Sequence, residues 1–375
     1  MGDRIRVIFC TDGIFPHSVG GMQRHSRLLV EALAATGEVH LTVLHPHPGV
    51  LIFEGLEHVE EVWLPPLPGK KYYLLELREY SKNVLAELEK RPGDLVYSQG
   101  LSVWAGVDQV KDRLVVNPHG LEPFQGLTFM DRLMTFPYRW VFRRIFRKSF
   151  RVVSLGGRLT AILQKEGKRD NVVVLPNAVL LHSLPDAALI KQKSTPLKFL
   201  FVGRFVANKG IPSLLQAAEL LNQSGNESAY ELHLAGRGPL FEEMKARFPL
   251  PNASYWGFVE DDFLNAAYLE DHVLILPTLF EGMPTVVLEA MAAAMPILVT
   301  DTGATLELVG EENGIIIPKN DPVGIAAAMR AMIDMDAGQF EYLSAQSLSK
   351  LGRRFTWEAV ANGHLELFRE MWRSS

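Results

Sequence analysis

Along the chain, short aliphatic and β-branched runs such as RIRVIFC and LKFLFV alternate with longer stretches whose apolar positions recur every three or four residues. Strands alternating with amphipathic helices in this way predict an α/β fold with parallel sheets and crossover helices. The pattern occurs twice. In the first half it predicts strands at Arg4–Cys10, Val39–Leu44, Val59–Leu64, Leu95–Ser98, Leu114–Asn117 and Arg151–Ser154, with helices including Met22–Ala35 and Leu74–Lys90. The stretch from Leu180 to Pro196 lacks periodicity and carries prolines, which makes it the expected hinge. A second set follows, with strands predicted at Leu197–Val202, Tyr230–Ala235, Ser254–Trp256, Val273–Pro277, Ile297–Thr300 and Gly314–Ile317. Two doubly wound domains of this kind would bind a ligand in a cleft at the carboxyl ends of their strands.

Composition narrows the class. A chain of 375 residues exceeds what one core supports and points to two domains. Its 47% hydrophobic content is that of an ordinary globular protein, and a net charge of −5 gives no general nucleic-acid footprint. Cys10, the one cysteine, has no internal partner and reads as a core residue of the first strand. Asp3, Arg4 and Arg6 interrupt the first apolar run, no secretion signal is visible, and no apolar run is long enough to span a bilayer. The cytoplasm is therefore the expected compartment.

Candidate chemistry gathers at the predicted strand ends. After the HVLILPTLF strand, Glu281, Gly282, Met283, Pro284 and Thr285 lead into a helix marked by Val286, Val287, Ala290 and Met291, with Glu289 eight positions beyond Glu281. Free amides at that helix start suit an anion. Treated as helical throughout, the interval puts about 12 Å of rise between the two acids. At the first strand end, Gly20 and Gly21 permit close backbone approach just before a helix; a plain glycine turn reads equally well from the pair alone. His119 follows the VVNP strand end and could hydrogen-bond a sugar hydroxyl or serve as a satisfied structural histidine. In FLFVGRFVANKG, Arg204 and Lys209 follow Gly203 and meet the need of a leaving diphosphate. Gly236 and Gly238 keep the next loop thin enough for a nucleotide, at a spacing that disfavours the NAD fingerprint. Backbone groups at Phe258 and Val259, after the YWG strand end, are candidates for a base edge.

In this order and spacing, GGMQRH, GRFVANKG, AGRGPL, WGFVE and EGMPTVVLEAMAAAMP resemble the retaining GT-B glycosyltransferases of family four, and the resemblance covers nearly the whole chain. It implies two Rossmann-like domains facing across a cleft. Residues 1–185 would form the acceptor-binding domain and 186–357 the donor domain, with 358–375 a terminal helix crossing back to the first. Glu281 would contact donor-sugar hydroxyls and Glu289 the ribose. Arg204 and Lys209 would hold the diphosphate, Thr285 and Val286 would add amides, Gly21 would approach from the other domain, and His119 would sit beside the transferred sugar. The donor would be a nucleotide diphosphate sugar, with no cofactor or metal. Ala294 and Ala178 stand where such proteins often have glycine.

The same likeness implies transfer to an acceptor hydroxyl with retained configuration, in glycolipid, cell-surface polysaccharide or other glycoconjugate synthesis. The glycosidase scheme needs two carboxylates about 5 Å apart, so a same-face attack with the departing phosphate taking the proton fits better. A sugar-nucleotide epimerase and a non-catalytic nucleotide-sugar-binding protein remain the rivals.

One stretch bears on the acceptor. No acidic residue occurs from Arg132 to Lys165, while Arg139, Arg143, Arg144, Arg147, Lys148 and Arg151 interleave with Phe136, Tyr138, Trp140, Phe142, Phe146 and Phe150. Such a helix either docks peripherally on an anionic membrane inner face or packs its aromatics on the sheet with a solvated basic side.

Overall fold

A computed structural model describes the whole chain except residues 1–3, 19, 68–72, 127–128, 180–189, 271 and 375. The chain divides into two compact units: residues 1–177 with 357–375, and residues 178–356. The first break falls ahead of the expected residue 185, and most of the expected hinge, 180–189, lies outside the described residues.

In the first unit β1 (Ile5–Cys10), β2 (Val39–His45), β3 (Val59–Trp63), β4 (Leu95–Gln99), β5 (Leu114–Asn117), β6 (Arg151–Ser154) and β7 (Val172–Val174) form a parallel sheet in the order β3-β2-β1-β4-β5-β6-β7. The second unit repeats the plan with β8 (Leu197–Val202), β9 (Tyr230–Ala235), β10 (Ala253–Gly257), β11 (His272–Leu276), β12 (Ile297–Thr300) and β13 (Gly314–Ile317), ordered β10-β9-β8-β11-β12-β13. Both are doubly wound. The order reverses between β1 and β4 in one sheet and between β8 and β11 in the other, where the following loops diverge to opposite faces and leave a crevice.

The central strands run apolar and buried because helices cover both faces, whereas the edge strands β3, β7 and β10 are only partly covered. Phe9 stacks on Tyr97 in the first core, and Phe199, Phe201 and Phe205 fill the second. Cys10 is fully buried, which raises its thiol pKa far above the ordinary value. β7 was not foreseen: its three residues lie at the sheet edge, too short for a periodic signal. Among the described residues no helix is long and apolar enough to cross a membrane.

The helix Thr285–Ala292 ends in a left-handed residue, Ala294 at φ 55°, with Met295 N–H on the Ala290 carbonyl (2.9 Å) and Ala294 N–H on that of Met291 (3.0 Å). This is a Schellman close that glycine fits without strain, which explains why the position suits glycine. The methyl of Ala294 is fully buried, so its packing offsets part of that strain.

The terminal helix Trp357–Ser374 belongs to the first unit and packs on the helix Gly21–Ala35 and on β1 and β4. It carries His364 into the core beside Tyr97 and Phe368. His25, from the helix Gly21–Ala35, lies against Trp357 with its ring 5.4 Å away. Burial keeps both imidazoles neutral, His364 with its pKa lowered to about 4 and His25 well below its usual value.

A buried neutral histidine makes the unfolded state bind more protons than the folded one between the folded pKa and the ordinary 6.5, so unfolding free energy rises with pH in that window. Denaturant titrations of the full chain should therefore show stability falling as pH drops from about 7 toward about 5. His364→Gln should flatten that slope; an unchanged slope would refute the assignment.

Candidate functional site

In the second unit, the crevice beside the β8–β11 reversal is built from backbone fitted against backbone. Gly203 N–H bonds the Ala235 carbonyl (3.0 Å), Phe205 N–H that of Arg237 (3.0 Å), and Gly236 N–H that of Gly257 (2.6 Å). A Cβ on Gly236 would strike the Gly203 carbonyl, and one on Gly238 the Phe205 backbone. These glycines are therefore required by loop-on-loop packing, a reason beyond the thinness expected for a nucleotide. Phe258, at the end of β10, is 70% exposed, and Val259 beside it is half-buried.

The β8 loop brings Lys209 to a short turn, Ala207–Lys209, ahead of the helix Ile211–Gln223. The Asn208 carbonyl accepts from Leu279 N–H (2.7 Å) and from the Thr278 hydroxyl (3.0 Å), locking this turn to the loop after β11. Lys209 Nζ consequently reaches Glu281 Oε1, which lies 3.1 Å from Thr278 Oγ1. Both charged side chains are largely covered, with 20% and 14% of their surface exposed. Opposite charges at that depth fix each other's position. Arg204 is exposed, with no side-chain partner among the described residues.

Behind Glu281, a Cβ on Gly303 (φ 50°) would strike the Glu281 and Gly282 carbonyls, and Ala304 N–H donates to the Gly282 carbonyl at 2.8 Å. The segment after β12 thus clamps the acid loop. Met283 and Pro284 are buried and lead into the helix Thr285–Ala292, which has no capping side chain and no acid in its first turn. Thr285 is exposed and Val286 half-buried, and the first helical amides are left to face an incoming anion.

The expected helical spacing of the two acids needs correction. Glu281 precedes the helix, so the rise computed over the whole interval does not apply and only Glu289 is helical. Glu289 accepts from the Tyr268 hydroxyl at 2.8 Å, and burial together with this carboxylate holds that phenol well above its usual pKa. Tyr268 and Gly303 were missed because their partners lie 20 or more positions away in the chain.

In the first unit, Gly20 and Gly21 open the helix Gly21–Ala35 directly after the β1 loop. A Cβ on Gly20 would strike Gln23, whereas one on Gly21 would meet open space. His119 follows β5 at φ 57° and its N–H donates to Asn117 Oδ1 at 3.0 Å. Its Nε2 meets Gln99 Oε1 at the end of β4, and the His25 ring stands edge-on with centroids 4.7 Å apart. Burial lowers the His119 pKa to about 3, so the ring is neutral. Both His25 nitrogens and Gln99 Nε2 are buried without hydrogen-bond partners among the described residues. No contrast in local sequence marked Gln99 or His25, since His25 stands among Gln23, Arg24, Ser26 and Arg27 and Gln99 follows Ser98 at a strand end.

The basic aromatic stretch is part buried and part exposed. In the helix Phe136–Lys148, Val141, Phe142, Ile145 and Phe146 are buried, with Phe142 and Phe146 against Phe124. Phe136 and Trp140 stay exposed, as do Met130, Leu133 and Met134 just before them. The cations are mostly paired: Arg143 with Glu166 (2.5 Å), Arg144 and Lys148 with Asp108 (2.7 and 2.8 Å), and Arg151 with Glu370. Arg147 is exposed.

Two family models match the chain: "Glycosyltransferase Family 4" over residues 19–182 and "Glycosyl transferases group 1" over residues 196–335. An uncharacterized glycosyltransferase of Methanocaldococcus jannaschii is 28% identical over 175 residues, 45% of this chain and 44% of that protein, so the chain spans under half of that relative's length. The sucrose-phosphate synthase of Thermosynechococcus elongatus superposes with a TM-score of 0.79 at 21% identity, covering 100% of both chains. HepE of Anabaena, solved in complex with UDP, gives a TM-score of 0.68 at 14% identity, covering 98% of this chain and 100% of that one. With both domain models matched in order and the GT-B fold shared, the chain belongs to the group 1, family four glycosyltransferases.

Proposed function

We propose that the chain transfers a hexosyl group from a nucleotide diphosphate sugar to an acceptor hydroxyl with retention of configuration. The observation that carries this reading is the covered Lys209–Glu281 pair beside the uncapped start of the helix Thr285–Ala292. A cation, an acid and free amides there match a diphosphate joined to a polyhydroxy sugar. On ligand entry the diphosphate would draw on Lys209, Arg204 and the amides of Thr285 and Val286, leaving the Glu281 carboxylate for sugar hydroxyls. Glu289, oriented by Tyr268, would take the ribose hydroxyls, and Phe258 with Val259 would border the base. Gly20 and Gly21 would serve the donor phosphates, and His119 the transferred sugar.

In the transfer step the bond from the anomeric carbon to the phosphate oxygen breaks while the acceptor oxygen bonds that carbon from the same face. The acceptor's proton passes to the departing phosphate. Arg204, Lys209 and the helix amides stabilise the developing negative charge, the role that a divalent ion fills elsewhere. That HepE was crystallised with UDP supports a uridine nucleotide as the first donor to try.

A surface-linked acceptor is favoured by the exposed apolar group Met130, Leu133, Met134, Phe136 and Trp140 with Arg147 nearby in sequence. We place this face against an anionic membrane, with the chain bound peripherally on its inner side.

Four outcomes test the proposal. A thermal-shift panel of UDP, GDP, ADP and their sugar conjugates should pick out one nucleotide, worth about 2.7 kcal/mol of stabilisation at a hundredfold excess over Kd; a flat panel would count against the donor site. Lys209→Ala and Glu281→Ala should each lower kcat/KM for transfer by roughly a hundredfold or more while the fold stays intact. Nucleotide released only when an acceptor is present would exclude both the epimerase and the binding protein. Sedimentation with phosphatidylglycerol vesicles should weaken about tenfold or more in Phe136→Ser/Trp140→Ser, and unchanged sedimentation would remove the membrane contact.

A further inference from the structure

We infer that His364, on the terminal helix, is a positioning residue for His119 and acts through Tyr97 and Asn117. The inference rests on the reading that His119 lies beside the transferred sugar. Three hydrogen bonds connect the two histidines within the first unit, a fourth anchors His364 to its own helix, and their directions follow from that fixed end. The Val360 carbonyl can only accept, so the contact of His364 Nδ1 with it (2.8 Å) puts a proton on Nδ1. The ring is buried and neutral, which leaves Nε2 as an acceptor. The Tyr97 hydroxyl, 2.8 Å from Nε2, therefore donates to it. Its oxygen in turn accepts from Asn117 Nδ2 at 3.2 Å. That contact settles which way the Asn117 amide faces, so Oδ1 is the atom presented to the backbone N–H of His119, at 3.0 Å.

The last bond is the consequential one. His119 holds φ 57°, in the left-handed region that residues bearing a side chain seldom occupy. An asparagine oxygen accepting from the amide two residues on is the local bond that favours such a turn. Turning the Asn117 amide over would set its NH₂ against the His119 N–H. Tyr97, Asn117 and His364 are each 1% exposed or less, so water does not compete for these groups. The terminal helix thereby sets the backbone from which the His119 ring projects toward Gln99 and His25.

The test uses the full chain with ¹⁵N-labelled histidine, the His119 ring signals being identified by their loss in His119→Ala. Tyr97→Phe and His364→Leu should shift those signals and lower kcat by about tenfold, with donor KM moving by less than about twofold. His364→Gln keeps an acceptor for the Tyr97 hydroxyl and should retain more activity than His364→Leu, an order that a purely packing role would reverse. Unmoved His119 signals in Tyr97→Phe and His364→Leu would overturn the inference. If His119→Ala leaves transfer intact, the reading of His119 as a sugar neighbour falls, while the ring signals still decide the positioning. Should Tyr97→Phe fail to fold, the two His364 variants decide it.

Discussion

The second unit depends on how closely the loops leaving its strands can approach one another. A parallel sheet delivers every strand end to the same edge, and buried peptide groups there must find partners. Here they find each other: the loops after β8, β9 and β10 bond in series, and the segment after β12 closes on the loop after β11. Only residues without a Cβ permit that approach at positions 236, 238 and 303. The clamp makes the Lys209–Glu281 pair a fixed feature, because both side chains spring from turns already bonded through Asn208, Thr278 and Leu279.

A fixed pair has a chemical use. Each partner holds the other in place in a partly dehydrated setting, so a ligand that supplies both an anion and hydroxyl donors can replace the pair's mutual attraction without leaving either charge stranded. A ligand offering only one of these would leave a buried charge uncompensated. On the proposed reading, the arrangement favours a molecule that joins phosphate to sugar over either alone.

Most of the fold was legible in the sequence, since strands such as Leu197–Val202 and Tyr230–Ala235 are apolar runs bounded by turn residues. The three-residue β7 was not, nor was the spacing of Glu281 and Glu289, because the helix begins only after Pro284 and the helical rise does not run over the whole interval. In the site, the residues standing at strand ends could be singled out from their position alone. Those that orient them could not: Tyr268 serves Glu289, Gly303 supports the Glu281 loop, and His364 reaches Asn117 through Tyr97. Each is an unremarkable residue in its own segment and gains meaning only from a partner that the topology brings to it. The alternating basic and aromatic residues of 136–151 were ambiguous for a related reason, since Asp108, Glu166 and Glu370, which neutralise most of them, lie outside the stretch.

The burial of Cys10 has a practical side. The chain's one sulfhydryl is sealed inside a central strand and kept protonated, so it will ignore alkylating reagents while the fold is intact. A fluorophore or spin label attached through a cysteine introduced at position 258, or at position 140, would thus report from one known place in an otherwise native background.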